Sequence, residues 1–296
     1  MEILPKPSFA RLTTLDLGGY AEALIILNHL SDVEHLGPLL QRYQLPPLVV
    51  GRGSNILAND GYLPLLLIKP NFYGHPQIIA EDELKAVVEV EAGHLLPKFL
   101  NFCAKHGLSG LEGLAGIPGT VGGAIAMNAG SYGTQICEDL SWVKIWQDDS
   151  INTLNFHDIN YGYRHFSFDG SQKFYIILAA AFTLRKDSPV AILSRMQTNL
   201  RTKKQSQPIQ AKSAGCVFKN PVKAPAAWRL LEMAGFRGKI LGGVAFSQQH
   251  ANFLINRARG TSVQAQELIY EAREAVLAQT KIALEPEIRI IACPRL

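Results

Sequence analysis

Residues 107–123 read GLSGLEGLAGIPGTVGG, with glycine at every third position from 107 to 122. A collagen triple helix is excluded, because it needs a long proline-rich array and this run contains only Pro118. Two interpretations remain open. The glycines provide positive-φ turns for packing alone, or their bare backbone lets a diphosphate approach so that successive N–H groups donate to its oxygens.

A second glycine turn, GRGSN at 51–55, directly follows the apolar stretch Leu48–Val50, which we predict to be a strand. Ser54 and Asn55 add side-chain donors to this turn. Neither turn has the P-loop pattern, and Ile56 occupies the position where a dinucleotide fingerprint needs its third glycine. Two such turns in one chain favour a diphosphate-binding site that is neither a P-loop nor a dinucleotide-binding fingerprint.

The chain of 296 residues is long for a single hydrophobic core, so we expect two or more packed units. Hydrophobic residues (47%) and charged residues (18%) are near globular averages, which argues against disorder. The N-terminus lacks a basic stretch followed by an apolar one, and the longest apolar run, Tyr175–Phe182, is too short to cross a bilayer. We therefore expect a cytoplasmic protein with reduced thiols at Cys103, Cys137, Cys216 and Cys293.

Hydrophobic periodicity predicts strands and helices without a regular βαβ rhythm, which indicates an α+β fold. The predicted strands are 48–50, 63–69, 86–91, 142–147 and 174–184. The predicted helices are 32–44, one beginning near Pro97 and ending at Gly107, 190–204, 226–234 and 262–280. Capping boxes are predicted at Ser31 with Glu34 and at Thr261 with Gln264. A domain boundary is placed near 187–190.

One segment, Ser188–Leu231, contains no acidic residue. Its basic residues are Arg195, Arg201, Lys203, Lys204, Lys212, Lys219, Lys223 and Arg229. This charge pattern fits either a surface that receives an anion or a solvated helix face and loop.

Six motifs occur in a fixed order: GxGSN, AGIPGTVGGAxxMNAG, YGYRxxxF, SAGCVFKNP, HANFLIN and EPEIRII. Together they resemble the UDP-N-acetylenolpyruvoylglucosamine reductase family, and the resemblance covers nearly the whole chain. It implies a vanillyl-alcohol-oxidase-type FAD-binding domain over 1–187, made of α+β subdomains at about 1–70 and 71–187, followed by an α+β substrate domain over 188–296. The implied reaction is flavin-dependent reduction of UDP-N-acetylglucosamine enolpyruvate to UDP-N-acetylmuramate with NADPH, in peptidoglycan precursor synthesis.

The resemblance assigns the FAD pyrophosphate to the two glycine turns. The implied cofactor-binding residues are Arg52, Gly53, Ser54, Asn55, Ile56, Gly116, Ile117, Pro118, Gly119, Thr120, Gly122, Gly123, Ala124 and Ile125.

Three positions match the family's catalytic residues. The resemblance implies that Arg164 would stabilise the substrate carboxylate as it gains enolate character, since a guanidinium keeps its charge and offers a planar fork of donors. It also implies that Glu287 would help polarise or protonate that carboxyl, and Glu285 is the competing carboxylate. Cys216 occupies the position of the family's usual proton-donor serine, and a thiol is a much stronger acid than an alcohol.

The resemblance also implies substrate contacts by Tyr163, Lys219, Asn220 and Arg289, with Arg289 on the same strand face as Glu287. His250 and Asn252 are interpreted as structural. No His or Cys cluster has ligand spacing, so we expect no metal.

Two alternatives are a flavin oxidase of the same fold with another substrate and a cofactor-free polyanion or RNA binder. The second is disfavoured because the basic segment lacks interleaved aromatic residues that stack on bases. We expect a monomer without nucleic-acid or membrane partners.

Overall fold

The computed structural model describes residues 1–292, so Cys293 lies outside the described residues. The strands are β1 Glu2–Pro5, β2 Tyr20–Leu27, β3 Pro47–Val49, β4 Ile56–Ala58, β5 Tyr62–Pro70, β6 Gln77–Glu81, β7 Lys85–Glu91, β8 Leu108–Ser109, β9 Gly130–Ser131, β10 Thr134–Gln135, β11 Leu140–Gln147, β12 Ser150–Asn155, β13 Ile159–Gly162, β14 His165–Phe168, β15 Ile176–Lys186, β16 Lys212–Cys216, β17 Ile240–Leu241, β18 Val244–Phe246, β19 Phe253–Asn256 and β20 Arg289–Ile291. The α-helices are α1 Phe9–Leu12, α2 Leu36–Tyr43, α3 Leu96–Lys105, α4 Val121–Ala126, α5 Pro189–Ser206, α6 Ala227–Met233 and α7 Ser262–Thr280. Over the described residues, no helix combines the length and apolar character that a membrane span requires.

The chain forms two compact units, each assembled from separate segments. Unit 1 contains Met1–Leu4, Ala23–Arg52 and Leu65–Thr202, and unit 2 contains Pro5–Glu22, Gly53–Pro64 and Lys203–Leu296. The functional division at 187–190 and the subdomain limits stay predictions.

The core of unit 1 is built around the long strand β15. All residues from Ile176 to Phe182 are buried, and β15 pairs antiparallel with β7 on one side and β11 on the other in the order β12-β11-β15-β7-β6. Helix α3 contributes Phe99, whose ring centroid lies 5.3 Å from that of Phe182. The prediction of a central strand from this apolar run is confirmed.

The N-terminal cap predicted at Ser31 and Glu34 is wrong. Residues Leu30–His35 form a 3₁₀ helix, and the Oδ2 of Asp32 accepts hydrogen bonds from the N–H groups of Asn28 (2.7 Å) and His29 (3.0 Å). The α-helix begins only at Leu36, which puts Pro38 in its first turn. A helix running from 32 would have placed Pro38 in its interior, where its ring clashes with a carbonyl and no N–H is available.

The other predicted capping box is confirmed at the start of α7. The N–H of Gln264 donates to Thr261 Oγ1 (3.1 Å), and the N–H of Thr261 donates to Gln264 Oε1 (3.2 Å). These reciprocal bonds satisfy two amide groups that a helix start otherwise leaves unpaired.

Unit 2 is formed by α6 and α7 together with the sheet β16-β19-β18-β17. Its core also contains Leu15, Leu17 and Leu57, which come from N-terminal segments far away in the sequence. Strand β20 pairs in parallel with β4, and Arg289 is the partner of Ile56. The helix predicted over 190–204 is α5, which continues to Ser206, and β16 begins at Lys212.

Candidate active site

The two glycine turns approach each other within unit 1. A Cβ atom added to Gly51 would lie 2.6 Å from Thr120 Oγ1, closer than real Cβ contacts allow. Thr120 is itself fixed as the N-cap of α4, since its Oγ1 accepts from the N–H of Gly123 (3.2 Å). The start of the GRGSN turn therefore lies against the middle of the glycine run.

The backbone at the start of α4 is already hydrogen-bonded within the protein. The N–H groups of Val121 and Gly122 donate to the carbonyls of His94 and Ala92, both at 2.9 Å. A Cβ on Gly122 would lie 2.8 Å from the Cβ of Ala92. Close packing is thus sufficient to explain this glycine, and its predicted contact with the flavin stays a prediction.

The backbone that remains accessible lies on either side of Thr120. Gly116, Ile117 and Gly119 are partly exposed, and Pro118 and Gly123 are exposed. Gly116 (φ +84°) and Gly119 (φ +141°) adopt conformations that favour glycine. The turn presents backbone with few side chains, which fits the close approach of a diphosphate-carrying flavin.

The second half of the GRGSN turn belongs to unit 2. Gly53 has φ +61°, and a Cβ there would lie 2.4 Å from the carbonyl oxygen of Leu12. Ser54 and Asn55 are partly exposed, but Asn55 Nδ2 donates to the carbonyl of Glu287 (3.1 Å). The side chain of Asn55 therefore already holds a segment that was predicted to be catalytic.

Arg164 lies in the two-residue turn between β13 and β14, in unit 1. Its backbone has φ +55°, a strained value for a residue with a side chain. The guanidinium Nη2 donates to the carbonyl of Gly130 (3.2 Å), and Cζ lies 5.2 Å from the ring centroid of Tyr163. Tyr163 is 49% exposed, whereas Arg164 is half-buried.

Cys216 ends β16 in unit 2, directly after an irregularity in the strand. The pairing of β16 with β19 shifts register between Ser213 and Cys216, and Gly215 has φ +80°. Such bulges redirect the side chain that follows them. Of the three cysteines in the described chain, Cys103 and Cys137 are buried while Cys216 is half-buried. Burial raises the pKa of Cys137 to about 12 and that of Cys103 still further, which disfavours ionisation of these two thiols.

Glu287 lies in a backbone ladder that joins three of the sequence motifs within unit 2. Its N–H donates to the carbonyl of Val217 (2.7 Å), one residue after Cys216. Its carbonyl receives the Asn55 amide, and the N–H of Arg289 donates to the carbonyl of Asn55 (2.9 Å). Ile288 is buried between the more accessible Glu287 and Arg289, as expected if the two charged residues share a face.

Lys219 and Asn220 have partners within unit 2. Lys219 Nζ lies 2.6 Å from Glu285 Oε1, so the competing carboxylate of the sequence analysis is engaged in an ion pair. Asn220 Oδ1 accepts from the N–H of Ala227 (3.0 Å) at the start of α6. Their predicted contacts with the substrate diphosphate stay predictions.

Acidic side chains partly neutralise the basic segment. Arg195 binds Glu112 (2.7 Å) and Asp187 (2.6 Å), and Lys212 pairs with Asp16. Burial lowers the pKa of Lys203 to about 8. Several charges of the Ser188–Leu231 segment are therefore used within the fold. The predicted anion-receiving surface rests on the other basic residues of that segment.

Two buried asparagines support the candidate site, and only one was singled out in the sequence. Asn252, interpreted as structural, donates from Nδ2 to the carbonyl of Phe218 (2.8 Å) and accepts at Oδ1 from its N–H (2.9 Å). Its neighbour His250 has a pKa lowered by burial. Asn128, which is also buried, was not singled out in the sequence, although it lies in the MNAG end of the long glycine motif.

The catalytic candidates are divided between the units. Arg164 and Tyr163 belong to unit 1, whereas Cys216, Lys219, Asn220, Glu287 and Arg289 belong to unit 2. Within residues 1–292, no group of three or more His, Cys, Asp or Glu side chains is arranged to hold a metal ion.

Comparison with known proteins identifies the cofactor of the N-terminal part of the chain. Residues 21–150 match the family described as FAD binding domain, and this match spans both turns. The protein is thus an FAD-dependent oxidoreductase with an α+β FAD-binding fold, as the sequence predicted.

Nearly the whole chain is similar to one enzyme family. Residues 207–291 match the family described as UDP-N-acetylenolpyruvoylglucosamine reductase, C-terminal domain. Reductases of that name from Nitratidesulfovibrio vulgaris and Oleidesulfovibrio alaskensis are 42% and 45% identical, and the alignments cover 99% and 97% of both chains. The crystal structure of the reductase (MurB) from Thermus caldophilus superposes with a TM-score of 0.79 at 30% identity, over 98% of each chain. The chain belongs to the UDP-N-acetylenolpyruvoylglucosamine reductase family.

Proposed function

We propose that the protein reduces UDP-N-acetylglucosamine enolpyruvate to UDP-N-acetylmuramate, with NADPH as the hydride source. The observation that carries this proposal is the ladder in unit 2, where the Asn55 side-chain amide donates to the carbonyl of Glu287 and the N–H of Glu287 donates to the carbonyl of Val217, next to Cys216. These bonds make the segments that carry Asn55, Glu287 and Cys216 neighbours, which supports the roles proposed for Glu287 and Cys216. We further propose that the enzyme acts as a cytoplasmic monomer.

The chain's residues supply charge stabilisation, proton transfer and substrate binding. When bound, FAD supplies hydride transfer from the nicotinamide to the enolpyruvyl double bond. Hydride addition next to a carboxylate builds negative charge on that carboxylate, which the Arg164 guanidinium stabilises. Cys216 Sγ–H donates the proton to the neighbouring carbon, and Glu287 orients and polarises the substrate carboxyl. Lys219, Arg289 and Tyr163 bind the nucleotide sugar.

The proposal is tested with the purified protein and two substrates. We expect a flavin absorption spectrum, bleaching of that spectrum by NADPH under anaerobic conditions, and reoxidation when the enolpyruvyl nucleotide sugar is added. Bleaching without reoxidation by this sugar would contradict the proposed substrate and favour a flavin oxidase with another substrate. A correctly folded, colourless protein that does not bind added FAD would contradict the proposed cofactor.

The glycine turn offers a separate test of flavin binding at Gly123. Gly123 is exposed, and the nearest atom to an added Cβ is Thr120 Oγ1 at 3.3 Å, so alanine fits with a small adjustment. Because alanine is favoured over glycine in helices, Gly123→Ala should leave the free energy of unfolding of the flavin-free protein within about 1 kcal/mol of wild type. If the flavin diphosphate approaches this backbone, the added methyl group weakens FAD binding about tenfold, equivalent to about 1.4 kcal/mol.

Flavin fluorescence titration and chemical denaturation measure the two effects separately. Gly122→Ala is the matched control, because its added Cβ would lie against Ala92 in the interior. This substitution should reduce the free energy of unfolding by about 1–3 kcal/mol. Unchanged FAD affinity in Gly123→Ala would remove Gly123 from the cofactor site.

A further inference from the structure

Asn128 is a fully buried polar residue just after helix α4 in unit 1. Its backbone has φ +38°, and both ends of its side-chain amide are engaged. Nδ2 donates to the carbonyl of Gly162 (2.8 Å) and to Gln135 Oε1 (2.8 Å), while Oδ1 accepts from the N–H of Cys137 (3.2 Å). A buried amide with this set of partners fixes the segments that it joins, since breaking any of the bonds leaves a polar group unsatisfied.

One of those segments carries Arg164. Gly162 is the last residue of β13 and pairs with His165 across the two-residue turn that contains Arg164. Two residues beyond Asn128, the carbonyl of Gly130 accepts from the Arg164 guanidinium (3.2 Å). The stretch 128–130 therefore contacts both the backbone at the base of the turn and the charged end of Arg164.

The conformation of Arg164 makes such support necessary. A side-chain-bearing residue at φ +55° is strained, and strained conformations persist only where the surroundings hold them. A two-residue turn has little backbone of its own to resist relaxation. The Asn128 amide supplies a fixed attachment at Gly162, two residues before Arg164.

We propose that Asn128 is a positioning residue for Arg164, holding the β13–β14 turn so that the guanidinium is presented in one orientation. This inference rests on the proposed function, in which Arg164 stabilises the substrate carboxylate. Asn128 is buried and acts through Arg164 rather than by touching substrate. Its removal should slow the step in which the substrate takes up hydride and leave the reduction of the flavin by NADPH unchanged.

Two substitutions of Asn128 separate positioning from folding. Asn128→Asp keeps the shape, the tolerance of positive φ and the oxygen facing Cys137, but when ionised it loses the donor to Gly162. Asn128→Gly keeps the backbone conformation and buries no charge. In the flavin-loaded variants, we expect reoxidation by the enolpyruvyl sugar to slow about tenfold, the scale of one lost hydrogen bond. Asn71→Asp, which removes the amide donor to Asn28 (3.0 Å) elsewhere in unit 1, is the matched control and should reoxidise at the wild-type rate.

A double-mutant cycle in stopped-flow kinetics gives the decisive measurement. If Asn128 acts through Arg164, adding Asn128→Gly to Arg164→Gly should change the reoxidation rate by less than about twofold, within the error of additivity for independent sites. A full tenfold effect in the double variant, or no effect of either Asn128 variant alone, would overturn the inference. Wild-type reoxidation in Arg164→Gly by itself would instead refute the proposed role of Arg164, so the two failures are distinguishable.

Discussion

Replacing Cys216 by alanine is expected to slow reoxidation of the reduced flavin by the enolpyruvyl sugar by about 10²–10⁴-fold, the range that a positioned general acid contributes. The expectation follows from the location of Cys216 after the bulge at Gly215 and from its accessibility. No other described cysteine replaces it, because Cys103 and Cys137 are buried and their thiol pKa values are raised by that burial. Anaerobic stopped-flow absorbance of the flavin measures this step directly.

Cys216→Ser is the matched variant for this experiment. It restores a proton-donating hydroxyl of similar size and should recover most of the lost rate, since the family's usual donor at this position is a serine. Reduction of the flavin by NADPH should proceed at the wild-type rate in both variants, as that step needs no proton from residue 216. Wild-type reoxidation in Cys216→Ala would exclude the thiol as the proton donor.

Local signals explain which parts of the fold were predictable from sequence. The Thr261–Gln264 capping box and the buried strand β15 depend on residues adjacent in the chain, and both were predicted. The cap at Ser31 failed although its pattern was equally good. Pro38, four residues beyond Glu34, prevents a helix from starting that early.

Contacts between distant residues account for what the sequence did not reveal. The bond from Asn55 to Glu287 spans 232 positions, and no periodicity in either segment indicates it. The same holds for the close approach of Gly51 to Thr120, which lie in different sequence motifs. The motif resemblance pointed to these segments, but only the structure shows which backbone groups connect them.

The glycine run also shows that one sequence pattern can serve several physical purposes. From its regular spacing, turns needed for packing alone and a backbone that binds a diphosphate were both open interpretations. Gly122 is explained by its contact with Ala92 inside the protein, whereas Gly123 is exposed and makes no comparably close contact. The sequence does not show which atoms an added Cβ would contact. The packed Gly122 and the exposed Gly123 therefore could not be distinguished without the structure.

Replacing Arg164 by glycine is expected to separate stability from activity. Loss of the guanidinium should slow flavin reoxidation by about 10²–10³-fold, as removal of a donor to a developing anion does elsewhere. The backbone at φ +55° suits glycine better than any residue with a Cβ. Arg164→Gly and Arg164→Ala lose the same contacts with Gly130 and Tyr163, so their difference in stability reports the strain of the turn less the larger backbone entropy of glycine in the unfolded chain.

We expect Arg164→Gly to exceed Arg164→Ala in the free energy of unfolding by about 1 kcal/mol, the lower end of the cost of a left-handed conformation for a residue with a Cβ. Chemical denaturation of the flavin-free proteins measures this difference, and both variants should show the same loss in reoxidation rate. Equal stabilities would mean that the turn relaxes once the arginine is removed. That outcome would imply that the contacts of the guanidinium, including the one with Gly130, impose the strained backbone. A stability difference would show that the turn itself imposes the strained backbone on Arg164.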